Sequence, residues 1–266
     1  MKTKNAAELL QEIMTTHKVI DLTAMIGPDY PCFYFRGQPY LQVALQDAYD
    51  GPRGRYVSNI NIMEDHCGTH CDAPVHMIPP PGSNLPHAGP AHSITVDKIP
   101  LRKCMGPAAV IDCREYLGKE KPGFSPVITV EKLKKWEKEH GPLQKGDIPL
   151  LYTSWTELHY KKFPDGLKLE KTCNSDRATE GWPAPNEEFV KYLVDRGIEH
   201  VGTDFPSLGQ IQNDEGPHWI ALENEMVVVE KLVNLAQLPP RGAYYFFFPL
   251  KIENGTGSPG RAIAIL

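Results

Sequence analysis

Apolar residues recur along the chain in two patterns, which predict a few helices and a larger number of strands. Helical spacing occurs at 129–141, which opens with a threonine and closes at a glycine, and at 185–197, where Asn186 is the expected N-cap and Gly197 the stop. Apolar residues within 9–14 suit one face of a short N-terminal helix. Strand-length apolar runs are more frequent, and they occupy 107–113, 147–155, 198–205, 225–230, 244–250 and 261–266.

Long loops separate these elements, and neither an internal repeat nor a low-complexity linker divides the chain. The longest loop, 77–90, is rich in proline. A chain of 266 residues is long enough to bury a sizeable core. The pattern therefore predicts a single α/β domain that spans residues 1–266.

Composition and charge exclude several classes of partner. The formal net charge is -5 and the pI is about 6.1, which gives no reason to expect nucleic acid or an anionic membrane. No segment approaches the roughly 18 apolar residues that cross a bilayer. The N-terminal residues are charged throughout and lack the apolar region of a signal peptide. We expect a cytoplasmic protein that acts on a small molecule.

The stretch "HCGTHCDAPVH", residues 66–76, holds three histidines and an aspartate. His66, His70, Asp72 and His76 are separated by even steps, which in an extended chain place side chains on one face. A helix fits less well, because Gly68 and the following proline oppose it. We therefore expect a strand or extended loop that presents four polar side chains together, with open space at Gly68 for an ion or a ligand.

Imidazole and carboxylate groups are the ligand set of zinc, manganese or iron. A polar loop with hydrogen-bonded histidines is the plainer alternative, which four candidate ligands on one face disfavour. Cys67 and Cys71 are further candidates for ligands or nucleophiles, but their odd positions point them away from the histidines. The stretch is thus interpreted as a metal site.

The same residues resemble the signature of the putative cyclase family, H-x-G-T-H-x-D-A-P-x-H, at every fixed position. Three further segments are similar to the family: "VIDLTAMIGPDYPCF" (19–33), "VGTDFPSL" (201–208) and "FPLKIENGTGSPGRAIAIL" (248–266). The resemblance implies a single α/β domain with a β-rich, swivelling-type core and peripheral helices. It also implies a metal-dependent hydrolase that forms a homodimer or a larger homo-oligomer, such as a tetramer.

Site residues follow from the resemblance to the family's formamidases. It implies that His66, His70 and Asp72 bind the metal and that His76, the last histidine of the motif, is the general acid/base. It also implies a second pair of ligands twelve residues apart, for which this chain offers His218 and Glu230.

The resemblance also bears on the metal content of the site. The expected cofactor is Zn²⁺ or Mn²⁺, one or two ions per chain. Around Glu230 the sequence is similar to the isatin-hydrolase branch, in which one ion suffices.

Three further residues complete the candidate site. Phe33 and Trp155 are candidates for an aromatic wall against a planar substrate, with a place in the core as the alternative for the neighbouring aromatic residues. Asp204 is interpreted as a partner that orients a ligand histidine, or alternatively as a helix cap.

The expected reaction is hydrolysis of a C–N bond in a small amide, formamide or cyclic amide. A metal ion would activate water and polarise the carbonyl group, while His76 transfers the proton. Two alternatives remain at this stage: a metal-dependent cyclase, dehydratase or lactone hydrolase of the same family, and a metal-binding protein without enzymatic activity.

Overall fold

Strands dominate the structure, a computed structural model that describes residues 4–31, 42–47, 57–61 and 64–266. Twelve strands occur in these ranges: β1 (Val19–Asp21), β2 (Gln42–Asp47), β3 (Val57–Asn61), β4 (His70–Asp72), β5 (Met105–Asp112), β6 (Val127–Ile128), β7 (Ile148–Tyr152), β8 (Ala184–Pro185), β9 (His200–Thr203), β10 (Val227–Glu230), β11 (Tyr244–Pro249) and β12 (Gly257–Ile265). Each strand-length apolar run of the sequence overlaps one of them.

Eight of the strands form a sheet that closes into a mixed barrel. The order is β1-β12-β11-β5-β7-β9-β10-β4, and β4 also pairs with the start of β12. The pairs β5–β7, β7–β9 and β9–β10 are parallel, and the other pairs of this sheet are antiparallel. Two smaller ribbons, β2–β3 and β6–β8, lie outside the barrel.

The central strands are apolar on both faces because both faces are covered. Along β10, Val227 and Val229 belong to one hydrophobic cluster, which fills the barrel, and Val228 belongs to a second, which packs under the helices. Alternate residues of β5 divide between the two clusters in the same way. Burial on both faces explains why these strands are continuous apolar runs without alternation.

Five α-helices lie around the barrel in the described ranges: α1 (Ala6–Thr16), α2 (Val130–His140), α3 (Trp155–His159), α4 (Glu187–Asp195) and α5 (Glu215–Glu223). The two helices with clear sequence signals, α2 and α4, are present, and the Asn186 side chain caps α4 by accepting the Phe189 N–H. The predicted α/β fold with a β-rich core and peripheral helices is confirmed.

α5 was not evident from the sequence, which reads as a loop around Gly216 and Pro217. Both residues lie in its first turn. Proline is tolerated there because the N–H that it lacks has no intrahelical acceptor at that position.

None of the helices in the described part of the chain combines the length and the apolar composition that a membrane span requires.

Candidate metal centre

A cavity of about 350 Å³ opens on the outer face of β4 and β10, beneath α5. It collects the five predicted metal ligands and His76. Its lining is Glu64, His66, His70, Asp72, His76, Met77, Pro206, Ser207, Asp214, His218, Glu230 and Lys231.

Strand register brings the two distant parts of the sequence together. β4 and β10 are antiparallel, with His70 opposite Glu230 and Asp72 opposite Val228. Side chains on opposed residues of a ladder share a face, so His70, Asp72 and Glu230 point toward the helical layer. Cys71 lies on the other face, in the cluster that fills the barrel. The prediction that Cys71 points away from the histidines is therefore confirmed.

The motif is less extended than expected. Only residues 70–72 form a strand: His66 lies in a turn before it, and His76 ends a 3-10 turn, Pro74–His76. The chain bends at Gly68, whose φ of +59° is left-handed and favours glycine. The open space predicted at Gly68 is wrong, because a Cβ there would stand 2.6 Å from the Ile26 side chain.

His218 enters the cavity from α5. Its Nε2 is 3.2 Å from Oε1 of Glu230, which also accepts the Leu208 N–H at 2.6 Å. The pair is fully buried, and neither residue is the solvated loop residue or exposed strand end that its local sequence allowed.

Asp72 and Glu230 link the histidines into one cluster. Oδ1 of Asp72 is 3.4 Å from Nε2 of His66 and 3.6 Å from Nε2 of His70. Its other oxygen, Oδ2, is 3.5 Å from Nε2 of His218. Glu230 Oε2 lies 3.5 Å from Nε2 of His70. Three imidazole nitrogens thus face two buried carboxylates.

Each of these imidazoles is oriented through its other nitrogen. Nδ1 of His66 donates to the Asp65 carboxylate at 2.8 Å, and Nδ1 of His70 donates to the Gly68 carbonyl at 2.9 Å. Nδ1 of His218 donates to the Asp214 carbonyl at 2.8 Å. When it is neutral, an imidazole held in this way directs its Nε2 lone pair into the cavity, which is how metal-binding histidines are usually fixed.

Asp65 is a part of the site that the sequence did not reveal. Its second oxygen, Oδ2, accepts from Thr256 N, Thr256 Oγ1 and Gly257 N at 2.8 to 3.1 Å. Burial opposes ionisation, but the hydrogen bond and charge of His66, together with the hydrogen bonds from Thr256 and Gly257, outweigh it and lower the pKa of Asp65 below its usual range. The start of β12 therefore holds the carboxylate that orients His66. Only the adjacency of Asp65 to the motif could have signalled this role.

The residues fit a metal ion. Nε2 of His66 and Oδ1 of Asp72 are buried and have no hydrogen-bond partner in the described structure, although buried polar atoms are normally satisfied. A Cβ at Gly257 would stand 2.7 Å from His66 Nε2, so the glycine leaves this nitrogen accessible. Potential ligand atoms of His70, Asp72 and Glu230 all lie within 4.8 Å of one another. Nitrogen and carboxylate donors suit Zn²⁺ or Mn²⁺.

The electrostatics of the cluster favour a cation. Burial and the nearby charge of Asp72 raise the pKa of Glu230 to about 7. Burial opposes protonation of His218, but hydrogen bonds with Asp72 and Glu230 raise its pKa well above the usual value. A proton on His218 would therefore compete with a metal ion on this side, and binding of an ion would release it.

His76 stands at the mouth of the cavity, with its ring centroid 4.1 Å from that of His66. Burial, together with the charges of His66 and His218, lowers the pKa of His76 to about 4. It is accordingly neutral at pH 7 and able to accept a proton. One of its ring nitrogens also lies within 4.8 Å of potential ligand atoms of His66 and Asp72. Its position therefore permits either function, general acid/base or metal ligand.

Two predicted site residues lie elsewhere. Trp155 is 3% exposed, packs in the cluster under the helices, and donates its indole N–H to the Leu169 carbonyl at 3.0 Å. It is a core residue, and its predicted role against a substrate is wrong. Asp204 accepts from Thr153 N, Thr153 Oγ1 and Ser154 N at 2.6 to 2.8 Å.

Asp204 therefore holds the turn that leads into α3. The N–H groups that its carboxylate binds, those of Thr153 and Ser154, precede the first residue of the helix, so it is not the helix cap of the alternative interpretation. The three inward-facing histidines take their partners from other residues, so its predicted role in orienting a ligand histidine is wrong. Phe33, the other aromatic candidate, lies outside the described residues.

The fold and the motif together define the class of protein. The model of the putative cyclase family matches residues 20–210, and the chain belongs to this family. The family predicted from the motif is confirmed.

The relatives of this chain include two kinds of enzyme. The chain is 28% identical over 260 residues to isatin hydrolase from Roseibium aggregatum, covering 94% of this chain and 92% of that protein. It is 27% identical over 233 residues to kynurenine formamidase from Salinibacter ruber, covering 82% and 86%. The solved structure of isatin hydrolase A from Labrenzia aggregata, bound to benzyl benzoate, has a TM-score of 0.80 at 29% identity and covers 98% and 99% of the two chains.

Proposed function

We propose that this chain is a metal-dependent hydrolase that opens a small cyclic amide or cleaves an aryl formamide by attack of water on the carbonyl carbon. Its class, a hydrolase of C–N bonds other than peptide bonds, agrees with the isatin hydrolase and kynurenine formamidase relatives and confirms the prediction made from the motif. The choice of substrate within that class is our proposal.

One observation carries the proposal. Three imidazoles direct their Nε2 atoms toward the same two carboxylates, and a ligand atom on each of His66 and Asp72 has no hydrogen-bond partner in the described structure. His66, His70 and Asp72 would hold the first Zn²⁺ or Mn²⁺ ion, and His218 and Glu230 would face any second ion. When bound at such a site, a divalent ion lowers the pKa of water toward neutrality and polarises the carbonyl group.

The chain's own residues supply proton transfer and binding. Neutral His76 accepts a proton from the attacking water and returns it to the leaving nitrogen, whose bond to the carbonyl carbon breaks. Met77 and Pro206 line the same cavity and offer apolar contacts to a planar ring. The volume of about 350 Å³ suits a small bicyclic or aryl substrate.

A screen of the purified protein tests the proposal. Protein loaded with Zn²⁺ or Mn²⁺ is assayed against isatins, N-formyl anilines, cyclic imides and lactones. We expect turnover of an isatin or a formyl aniline, and we expect Asp72→Asn to abolish it. The control is His17→Ala, which changes an exposed histidine directly after the last residue of α1 and should keep the activity. Turnover of lactones alone would assign the chain to the alternative reaction of the family.

Two further parts of the proposal concern the cellular form of the enzyme. We propose a cytoplasmic homo-oligomer, a dimer or a tetramer. Light scattering of the purified protein tests the oligomeric state, and a monomer at micromolar concentration would contradict it.

A further inference from the structure

One outer face of the barrel carries apolar side chains that the helical layer leaves uncovered. On β11 and β12, Tyr245 and Ala264 point into the barrel, so their neighbours along each strand point outward. Six apolar residues at these outward positions and on β1 form what we call the open face: Val19, Tyr244, Phe246, Phe248, Ile263 and Ile265. Each of them is half-buried or exposed, and none belongs to either hydrophobic cluster.

Aromatic rings occupy the middle of the open face. The ring centroids of Tyr244 and Phe246 are 5.1 Å apart, and those of Phe246 and Phe248 are 5.9 Å apart. Tyr244 is 42% exposed and Phe248 is 43% exposed. Large contiguous apolar patches on a protein surface mark interaction sites, and aromatic residues are enriched in the cores of protein interfaces. The open face therefore has the composition of a protein contact.

α1 presents a second apolar surface. Leu9, Leu10 and Met14 are 46%, 56% and 50% exposed, and none of the eleven residues of the helix is buried. Asn5 and Glu8 form a capping box that starts the helix. An isolated helix of this length is nevertheless marginal in water, since most helical stability comes from packing an apolar face. α1 therefore needs a surface to pack against.

The two surfaces are large enough together for a stable contact. The open face extends onto β5 at Met105 and Pro107, whereas Ala109 is buried under the helices. Four strands of about six residues cover about 20 Å by about 19 Å, and α1 adds a strip about 16 Å long. Protruding side chains expose more area than this flat outline. The total is of the order of the about 800 Å² per partner that a standard interface buries.

A second copy of the chain suits both surfaces. Only His17 and Lys18 separate α1 from β1, the strand at the edge of the open face. The charged residues at the outward positions of β1 and β12, Asp21 and Arg261, form an ion pair at 2.6 Å. Their charges cancel, so two copies of the face meet without net repulsion. In a symmetric dimer each subunit contributes the same surfaces, so one contact covers α1 and the open face of both subunits.

We propose that two copies of this chain associate through these surfaces, with α1 of each subunit packed on the open face of its partner. The inference rests on the homo-oligomer proposed above and assigns its interface. It does not depend on the metal or on the reaction. The contact buries the leucines and the methionine of α1 against the aromatic rings of β11.

Sedimentation velocity over a range of protein concentrations tests the proposal. Phe248→Glu and Leu10→Glu each place a charge in the proposed contact, and each should raise the dimer dissociation constant about tenfold or more. The matched control is Leu158→Glu, which changes a leucine of α3 that is 47% exposed and should leave the constant unchanged. Circular dichroism of each variant checks that the chain is folded.

Cross-linking tests which subunit α1 contacts, with variants that add no charge. Chains with Leu10→Cys are mixed with chains with Phe248→Cys, left to exchange subunits and treated with a bismaleimide. The five native cysteines in the described part of the chain are buried, and wild type gives the background. We expect a covalent dimer of the two chains, and none when Leu158→Cys replaces Leu10→Cys.

The outcomes separate the interface from the oligomer on which it rests. A wild-type dimer that both glutamate variants leave intact would overturn the interface alone, and so would equal weakening by Leu158→Glu. A link inside one chain that carries both cysteines, with none between chains, would show that α1 covers its own open face. A monomeric wild type would overturn the interface and the homo-oligomer together.

Discussion

The candidate metal centre has two sides that differ in how the chain builds them. The motif side, His66, His70 and Asp72, lies within seven residues around β4. The distal side, His218 and Glu230, comes from α5 and β10. On the distal side the two ligands hydrogen bond to each other, whereas on the motif side His66 Nε2 and Asp72 Oδ1 have no hydrogen-bond partner in the described structure.

This difference indicates where an ion binds first. An ion on the motif side would contact two buried atoms that otherwise lack a hydrogen-bond partner. It would thereby remove the free-energy cost of leaving these atoms buried without a partner. An ion on the distal side must break the contact between His218 and Glu230 and displace a proton from His218. We therefore expect the motif side to be the stronger site. Four substitutions test this comparison, from the largest expected effect to the smallest.

Removal of His70 should have the largest effect. Its Nε2 lies 3.6 Å from Asp72 and 3.5 Å from Glu230, so it is shared by the two sides. We expect His70→Ala to lose bound metal and hydrolytic activity together, measured by elemental analysis and the amide assay. Full metal content in this variant would contradict the assignment of the motif side.

His76 should affect the reaction more than the ion. We expect His76→Ala to keep most of its metal while kcat falls on the order of a hundredfold or more, the usual contribution of a general acid/base. Metal counting and steady-state kinetics on the same preparation measure both quantities. Loss of metal in step with activity would make His76 a ligand, which its distance from His66 and Asp72 also permits.

Asp65 tests whether the motif side depends on its orienting carboxylate. Asp65→Asn should weaken metal binding about 10- to 100-fold, because the amide holds the His66 ring less firmly and makes it less basic. Competition with a chromophoric chelator measures the affinity. Asp97→Asn, which changes a half-buried carboxylate that accepts from Thr95, is the control and should bind metal normally. Equal affinities in the two variants would refute the role of Asp65.

Glu230→Gln should have the smallest effect on the first ion. The amide keeps a neutral oxygen near His70 but removes the charge that attracts a second ion. We expect the variant to retain the ion on the motif side and to lose the weak binding of a second equivalent in a zinc titration. Identical binding of the second equivalent in wild type and Glu230→Gln would show that Glu230 is not a ligand of a second site.

Local signals in the sequence were sufficient for the motif and for the strongest elements. Even spacing across His70 and Asp72 predicted a shared face, and the strand confirms it, because side chains alternate in an extended chain. The capping residue and the apolar spacing of α4 likewise act within a few turns. Neither feature depends on distant parts of the chain.

Other features were not predicted correctly from the sequence, for identifiable physical reasons. α5 was hidden because Gly216 and Pro217 usually break helices, and only their place in the first turn makes them compatible. Trp155 is equally suited to a core and to a substrate wall, and the choice depends on the burial of its neighbours. The space expected at Gly68 is occupied by Ile26, which is 42 positions away by their residue numbers.

The sequence by itself determined the chemistry of the site: imidazole and carboxylate ligands at spacings that one short extended segment can bring to a face. Tertiary structure alone decided which distant groups complete it. The register of β4 against β10 places Glu230 opposite His70, and the start of β12 places Thr256 and Gly257 on Asp65. Register and barrel closure depend on contacts between residues far apart in sequence. The spacing of residues, in contrast, predicts the direction of side chains only within one strand or helix. The burial of Lys231 belongs to this second group, since nothing next to it in the chain shows that its charge is enclosed with the ligands.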